Sequence, residues 1–284
     1  TTALLQRVYP SPLPTEYWVS TCAEIDATSV WLGAVMQCLG YARLLDQSTL
    51  ESASWLGPAL ETSVHLCKLN ASAGLSARPT MSYCAIANPL RVIELAARVE
   101  SHAALLLGSG VVDALDFACL NDFSVIGGSL ASEAAGAVVA LVGRNEGGRT
   151  LSNSTVNAVL DEFALFFEPS HWKYVSSCAK LLTVVRRVAT MVIADANKKT
   201  MLQHDKLLDN IVEGLLLDSD NPRRGQDGAD ALQETCAGVL HELALYGPGV
   251  EVLRSHGATM DALRVLADVG TKRSRERAQG ALFE

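Results

Sequence analysis

The stretch CAGVLHELALYGPGVEVLRSHGATMDAL, from Cys236 to Leu263, reads as a helix of small residues, a turn, a short apolar helix, a His-Gly break and another apolar helix. Its parts return elsewhere in the chain. AAGAVVAL (Ala134–Leu141) and AQGALFE (Ala278–Glu284) share the small–x–Gly–small–aliphatic pattern of CAGVLHEL (Cys236–Leu243). Their glycines, Gly136, Gly238 and Gly280, are separated by 102 and then 42 residues. Halving the longer interval places a further copy at RRVATMVIA (Arg186–Ala194), with Val188 in the glycine's position. Glycine inside a helix costs about 1 kcal/mol against alanine, so its return predicts a close helix crossing there.

The downstream half repeats as well. HAALLLGSGVVDALDF (His102–Phe117) matches EVLRSHGATMDALRVL (Glu251–Leu266): a short helix, a glycine break, then a helix carrying Asp-Ala-Leu. RTLSNSTVNAVLDEF (Arg149–Phe163) and KTMLQHDKLLDNIVEGL (Lys199–Leu215) are looser copies, with Asn-Ser or His-Asp at the break. Gly and Asn end helices readily in a left-handed turn. Upstream, RVIELAARVESHAALLLGSG (Arg91–Gly110) mirrors VLHELALYGPGVEVLRSHG (Val239–Gly257), and Asn88–Pro89 reads as a cap followed by proline at the first helical position. LGAVMQCLGYARLL (Leu32–Leu45) reads as one more, weaker copy. Self-similarity at a period of about 42–52 residues predicts an all-α solenoid of four or five stacked three-helix units. Residues 1–87 form an N-terminal helical segment with divergent repeats, and 88–284 hold about four units, in one continuous solenoid domain.

Composition agrees with that reading. Of 284 residues 49% are apolar, 19% charged and only 6% aromatic. Small aliphatic side chains let helices approach closely, whereas sheet cores favour aromatic and β-branched residues. The net charge of −8 argues against nucleic acid as a partner, since that affinity comes from Lys and Arg on phosphates. The basic runs at Arg186–Arg187, Lys198–Lys199, Arg223–Arg224 and Lys272–Arg277 are short and scattered, and read as solvated faces. Seven cysteines without a C-x-x-C pair fit a reducing, cytoplasmic compartment. No run reaches 18 uninterrupted apolar residues and no charged-then-apolar segment precedes the fold, so neither a membrane span nor a leader is expected. The chain starts at Thr1 rather than Met and stops inside an apparent helix, which suggests a piece of a longer protein.

The pattern resembles the armadillo repeat family. AAGAVVALVGRNEGGRTL (Ala134–Leu151), CAGVLHELALYGPGVEVL (Cys236–Leu253) and RSRERAQGALFE (Arg273–Glu284) look like that family's third helices, the first two running into the next repeat. The resemblance covers 88–284 well and 1–87 weakly. It implies a right-handed superhelix whose third helices line a concave groove that binds extended segments of other proteins. In the family's nuclear-import members, successive Trp and Asn on each third helix hold the bound peptide. The matching positions here are Ile93–Glu94, Val139–Ala140, Met191–Val192, His241–Glu242 and Phe283–Glu284, so no Asn ladder survives. A nuclear-import adaptor is not expected.

What remains is a groove apolar in its middle and acidic towards its C-terminal end, with Glu94, Glu133, Val139, Arg187, Met191, Glu234, His241 and Glu242 as groove candidates. Such a surface suits an amphipathic helix or an apolar-basic segment of another protein. Val139 and Met191 are equally readable as core.

Catalytic and metal patterns are absent. The six histidines form no H-x-x-x-H or H-E-x-x-H pair and no zinc spacing with cysteine. His102, His204 and His256 fall near helix ends, where they would cap carbonyls. IGGSLASE (Ile126–Glu133) reads as a loop with Ser129 or Ser132 as helix cap, and no phosphate-cradle or nucleophile motif occurs. The connections Asn70–Thr80, Asn121–Ser129 and Asp218–Asp227 are longer than a plain solenoid needs, and the last reads as a surface excursion. The expected function is therefore a non-enzymatic scaffold or adaptor without a cofactor. Two alternatives stay open: nucleotide or small-molecule sensing around Arg186 and Arg187, and self-association into a homo-oligomer.

Overall fold

The structure, a computed structural model, describes residues 63, 64, 67, 83–97, 99–120, 124–125, 128–144, 149–168 and 177–284. The weak copy at Leu32–Leu45, the Asn70–Thr80 connection, His65 and His171 lie outside the described residues. The chain divides into two compact units, Thr1–Leu141 and Val142–Glu284.

In the first unit the elements run α1 (Tyr83–Ala96), α2 (Glu100–Gly108), α3 (Val111–Leu120), β1 (Ser124–Val125), β2 (Gly128–Ser129) and α4 (Leu130–Val142). The Asn88–Pro89 start signal is overridden, and Pro89 lies inside α1, buried. Proline in a helix interior costs about 3 kcal/mol. Against this, Leu90, Val92, Ile93 and Ala96 are at most 2% exposed. Burying one Leu or Ile contributes about 1.5–3 kcal/mol, so packing carries the helix through. The break between α2 and α3 is the left-handed glycine turn the sequence predicts, with Gly110 at φ 72. Within Asn121–Ser129 two residues from each side pair as an antiparallel ladder, Ser124 opposite Ser129 and Val125 opposite Gly128. Ser129 directly precedes α4 and Ser132 is buried inside it.

The second unit is helical throughout its described residues: α5 (Asn153–Leu165), α6 (Cys178–Met191), α7 (Asp195–Leu202), α8 (Leu207–Gly214), α9 (Ala229–Ala244), α10 (Gly247–Ser255), α11 (Gly257–Val269) and α12 (Lys272–Phe283). The helices stack in three rows. The third helices of successive repeats, α6, α9 and α12, pack side by side; the second helices α5, α8 and α11 form another row; the short first helices α7 and α10 form the last. Each row is one position of a repeated three-helix unit, as expected of a solenoid. Arg149 to Ser152 are not helical, so α5 enters without a short helix directly before it. Ser152 caps it by accepting from the Thr155 N–H at 3.1 Å.

Three sequence expectations change here. At the His-Gly break, Gly257 does not take a left-handed turn; His256 makes the corner, and its Nδ1 accepts from the Thr259 N–H at 3.3 Å. A histidine standing ahead of a helix meets free N–H groups rather than carbonyls, so it accepts. His102 lies in the first turn of α2, and His204 in the turn between α7 and α8, where Nε2 meets Asp161 Oδ1 at 3.2 Å.

The second change concerns glycine. A Cβ at Gly238 would meet nothing within 4 Å, so no close crossing explains that residue. At Gly280 it would lie 2.6 Å from His241 Nε2, and there the expected crossing exists, between α12 and α9. A backbone approach that the repeat pattern did not mark occurs at Gly249, where a Cβ would stand 2.2 Å from the Leu243 carbonyl oxygen.

Third, the basic pairs are not solvated faces. Each of three pairs sends one member inward: Arg187 is 7% exposed, Lys198 3% and Arg223 0%. Arg187 meets Glu162 at 2.7 Å, and Lys198 meets Asp195 at 2.8 Å while lying over the Tyr246 ring. Arg223 anchors the Asp218–Asp227 connection, which is therefore no loose excursion. Its Nη2 donates to the Phe166 carbonyl at 2.5 Å, its carbonyl accepts from Cys178 Sγ at 3.3 Å, and its guanidinium lies 5.1 Å from the Phe167 ring centre.

Two outcomes check this packing. Gly249→Ala is expected to destabilise by about 3 kcal/mol, the upper range for overpacking against an immobile backbone, while Gly238→Ala stabilises by up to about 1 kcal/mol; urea unfolding followed by circular dichroism reads both. Arg223→Met is expected to cost about 1–3 kcal/mol, because the buried Phe166 carbonyl loses its donor, whereas Arg224→Met at the exposed neighbour stays within about 0.5 kcal/mol in the same measurement.

Candidate functional site

Enclosure decides which side chains of the third helices a partner meets. α9 is flanked by α6 and α12 and packs on α8 and α10. Leu232, Cys236, Ala237, Val239, Leu240 and Leu243 are 0% exposed. The stripe left accessible runs Thr235, Gly238, His241, Glu242, Leu245, at the three- and four-residue spacing of one helix face.

The same stripe appears on α6 exactly one repeat earlier, at Thr183, Arg186, Ala189, Thr190 and Ile193, each 52 positions before its α9 counterpart. Two threonines confirm the register. Thr183 Oγ1 donates to the Ala179 carbonyl at 3.1 Å, and Thr235 Oγ1 to the Ala231 carbonyl at 2.6 Å. Arg186, and not Val188, therefore stands where Gly238 stands. The partners of His241 and Glu242 are Ala189 and Thr190.

That two-residue shift explains where the sequence candidates fall. Met191 is 0% exposed and sits in the core with Val192, so it contributes no surface. Its carbonyl accepts from Asn197 Nδ2 at 3.0 Å, and the same amide donates to the Gly143 carbonyl at 2.9 Å. Arg187 is an interior tie to Glu162 on α5, while its neighbour Arg186 faces out, so the two arginines do not converge on one pocket. Glu234, His241 and Glu242 do share the partly exposed side of α9. Glu234 accepts from Thr271 Oγ1 at 3.1 Å. His241 packs against Gly280, and Arg277 Nη1 approaches its Nδ1 at 3.2 Å. Glu242 makes no ion pair among the described residues.

In the first unit, Val139 on α4 is 1% exposed and belongs to the core. Glu133 on the same helix is held by Arg91 of α1, whose Nη2 donates at 2.5 Å and Nε at 3.1 Å. Glu94 on α1 is half-buried.

The third-helix surface of the second unit is accordingly polar along its middle, through Thr183, Arg186, Thr235 and Glu242, and apolar at the helix ends. Ile193 is 46% exposed and Leu245 51%, at equivalent repeat positions. The apolar middle read from the sequence is core. Thr190, Ile193 and Leu245 were not singled out from the sequence, and Arg186 was read there as a sensing candidate rather than as part of the groove. The signal that finds them is the shared interval of 52, which also separates the helix-entry residues Ser152, His204 and His256. Among the described residues no group of three or more His, Cys, Asp or Glu is placed to hold a metal ion, and no helix is long and apolar enough to cross a membrane.

Comparison with solved structures bears on this architecture. The designed armadillo repeat protein YIII(Dq)4CqI aligns over 99% of this chain and 98% of its own, with a TM-score of 0.52 and 13% identity. An engineered protein aligns over 85% of this chain and 93% of its own, with TM-score 0.46 and 15% identity. A computationally designed armadillo repeat protein for modular peptide recognition aligns over 84% of this chain and 94% of its own, with TM-score 0.46 and 16% identity. No protein-family model matches this chain, and no curated protein matches it. The first structural likeness, with the three rows of helices, defines the class: an all-α, armadillo-like helical repeat fold.

Three described cysteines, Cys67, Cys178 and Cys236, are free and buried. Burial pushes the Cys67 thiol up to about 12 and raises that of Cys236 further. Burial also raises Cys178, against the opposing pull of the Arg223 cation. A thiol at about 12 is only about 10⁻⁴ thiolate at pH 8, and the thiolate is the reactive form. Cys178 and Cys236 are at most 1% exposed, so iodoacetamide at pH 8 is expected to leave both unlabelled in the folded protein and to label both in urea, as read by peptide mass spectrometry.

Proposed function

We propose that the chain is a non-enzymatic binding module that takes a segment of another protein across the third helices of its second unit. The observation that carries this is the matched stripe on α6 and α9, which repeats five positions at a spacing of 52 and leaves Thr183, Arg186, Ile193, Glu242 and Leu245 outside the core. The stripe on α9 puts an apolar side chain, Leu245, beside a carboxylate, Glu242. That pairing fits an apolar-basic segment, with the apolar anchor on Leu245 and Ile193 and the basic group on Glu242 or Glu234. Scaffold or adaptor work in a reducing compartment such as the cytoplasm is the role that suits such a surface and its buried free thiols.

The test uses linear peptides selected from a displayed random library on the intact chain. Selected sequences are expected to combine one large apolar residue with Lys or Arg. Leu245→Asp and Glu242→Arg are each expected to weaken them about tenfold, which is about 1.4 kcal/mol, with thermal midpoints unchanged. His241 is unsuited as the probe because it supports Gly280. Peptides that bind both variants as tightly as the parent chain would overturn the assignment.

A further inference from the structure

A second feature of the same unit lies away from the third helices. Between α5 and α7, closed at one end by the turn at 203–206, runs an open cleft of about 570 Å³. One wall is a regular row on α5: Asn153, Asn157 and Asp161, four residues apart, followed by Leu165. The facing wall is Thr200, Gln203 and His204. Thr200 Oγ1 donates to Asn153 Oδ1 at 2.8 Å, and His204 Nε2 meets Asp161 Oδ1 at 3.2 Å, so contacts across the cleft hold both ends of the row. Asn157 in the middle makes no hydrogen bond among the described residues.

The spacing of that row has a physical counterpart. Residues four apart on a helix rise about 6 Å, and residues two apart in an extended chain advance about 6.6–6.8 Å. Amides at i and i+4 therefore meet every second peptide unit of an extended segment lying along the helix. An amide side chain both donates and accepts, so it satisfies together the N–H and C=O of one residue, which point to the same side of an extended chain. The charge of the cleft selects among segments. Asp161, Glu168 and Asp205 outnumber Lys206, which meets Glu168 at 3.4 Å. Asp205 is exposed and makes no ion pair among the described residues.

We propose that this cleft is a second peptide site, which reads the backbone of an extended segment through Asn153 and Asn157 and takes a Lys or Arg side chain on Asp161 and Asp205. It is independent of the third-helix surface.

The probe is a fluorescein-labelled, acetylated and amidated hexapeptide of alternating lysine and alanine, titrated with the intact chain and read by fluorescence anisotropy. Saturable binding is expected. Asn157→Ala, which changes no charge, is expected to weaken it at least about fivefold, as is Asp161→Asn. N-methylation of alternate backbone amides in the probe should match the Asn157→Ala loss. Both substituted residues are exposed, and circular dichroism checks that the variants fold. Absence of saturable binding overturns the proposal. So does binding that is indifferent to Asn157→Ala and to N-methylation, which would be charge attraction alone. Loss of probe binding in Leu245→Asp with Asn157→Ala silent would assign the peptide to the third-helix surface and overturn this cleft without touching that reading.

Discussion

A helix packed on both flanks and along its base shows solvent a single stripe, and α9 is held in that position. The faces that α9 turns to its neighbours are small or aliphatic, through Leu232, Cys236, Ala237, Val239, Leu240 and Leu243, so that neighbouring axes pack at about 8–10 Å. The composition follows from this, with 49% apolar residues and only 6% aromatic. So does the restricted choice on the stripe, where a side chain is either committed to the next helix, as His241 is to α12, or left accessible, as Glu242 and Leu245 are. The candidate surface is what the stacking of third helices leaves over.

The same stacking accounts for the buried cations. Adjacent residues on a helix point about 100° apart, which turns one member of the pairs on α6 and α7 inward, while Arg223 is turned inward by the connection between α8 and α9. One member of each pair turns inward and is met there: Arg187 by Glu162, Lys198 by Asp195 and the Tyr246 ring, Arg223 by the Phe166 carbonyl. An inward charge without a partner would cost several kcal/mol, so these partners are requirements of the fold.

The order of helices within a repeat was legible in the sequence, because glycine and proline punctuation falls between α2 and α3, at the start of α10, between α10 and α11 and after α11. The register between third helices was not. On a helix as rich in Ala and Val as α6, several offsets superpose small residues on Gly238 equally well, and the one that set Val188 there left Met191 readable as groove or as core, when it is core. Residue size is a poor guide where all residues are small. The recurring threonines at 183 and 235, which spend their hydroxyls on their own helices, hold the register better. Asn88–Pro89 misled for the opposite reason: a strong local signal lost to the packing of Leu90, Val92 and Ile93. The α5–α7 cleft was invisible because Asn153, Asn157 and Asp161 acquire their facing wall only when the next repeat folds against them. Arg223 was equally hidden, since a charged, proline-bearing stretch reads as solvent-exposed until its partners, far back in the chain, come into contact.

Arg223 also bears on how the repeats come apart. In a plain repeat array each unit touches only its neighbours, and units fray singly from an end. Here one contact between neighbours is a buried cation: the connection between α8 and α9 is tied to Phe166 after α5 and to Cys178 at the start of α6, in the preceding repeat. Pulled from its C-terminal end, the chain would surrender α12, α11 and α10 step by step and then meet a stitch. Past that point α9, α6 and the connection between them would yield together, as one larger cooperative event with its own force threshold.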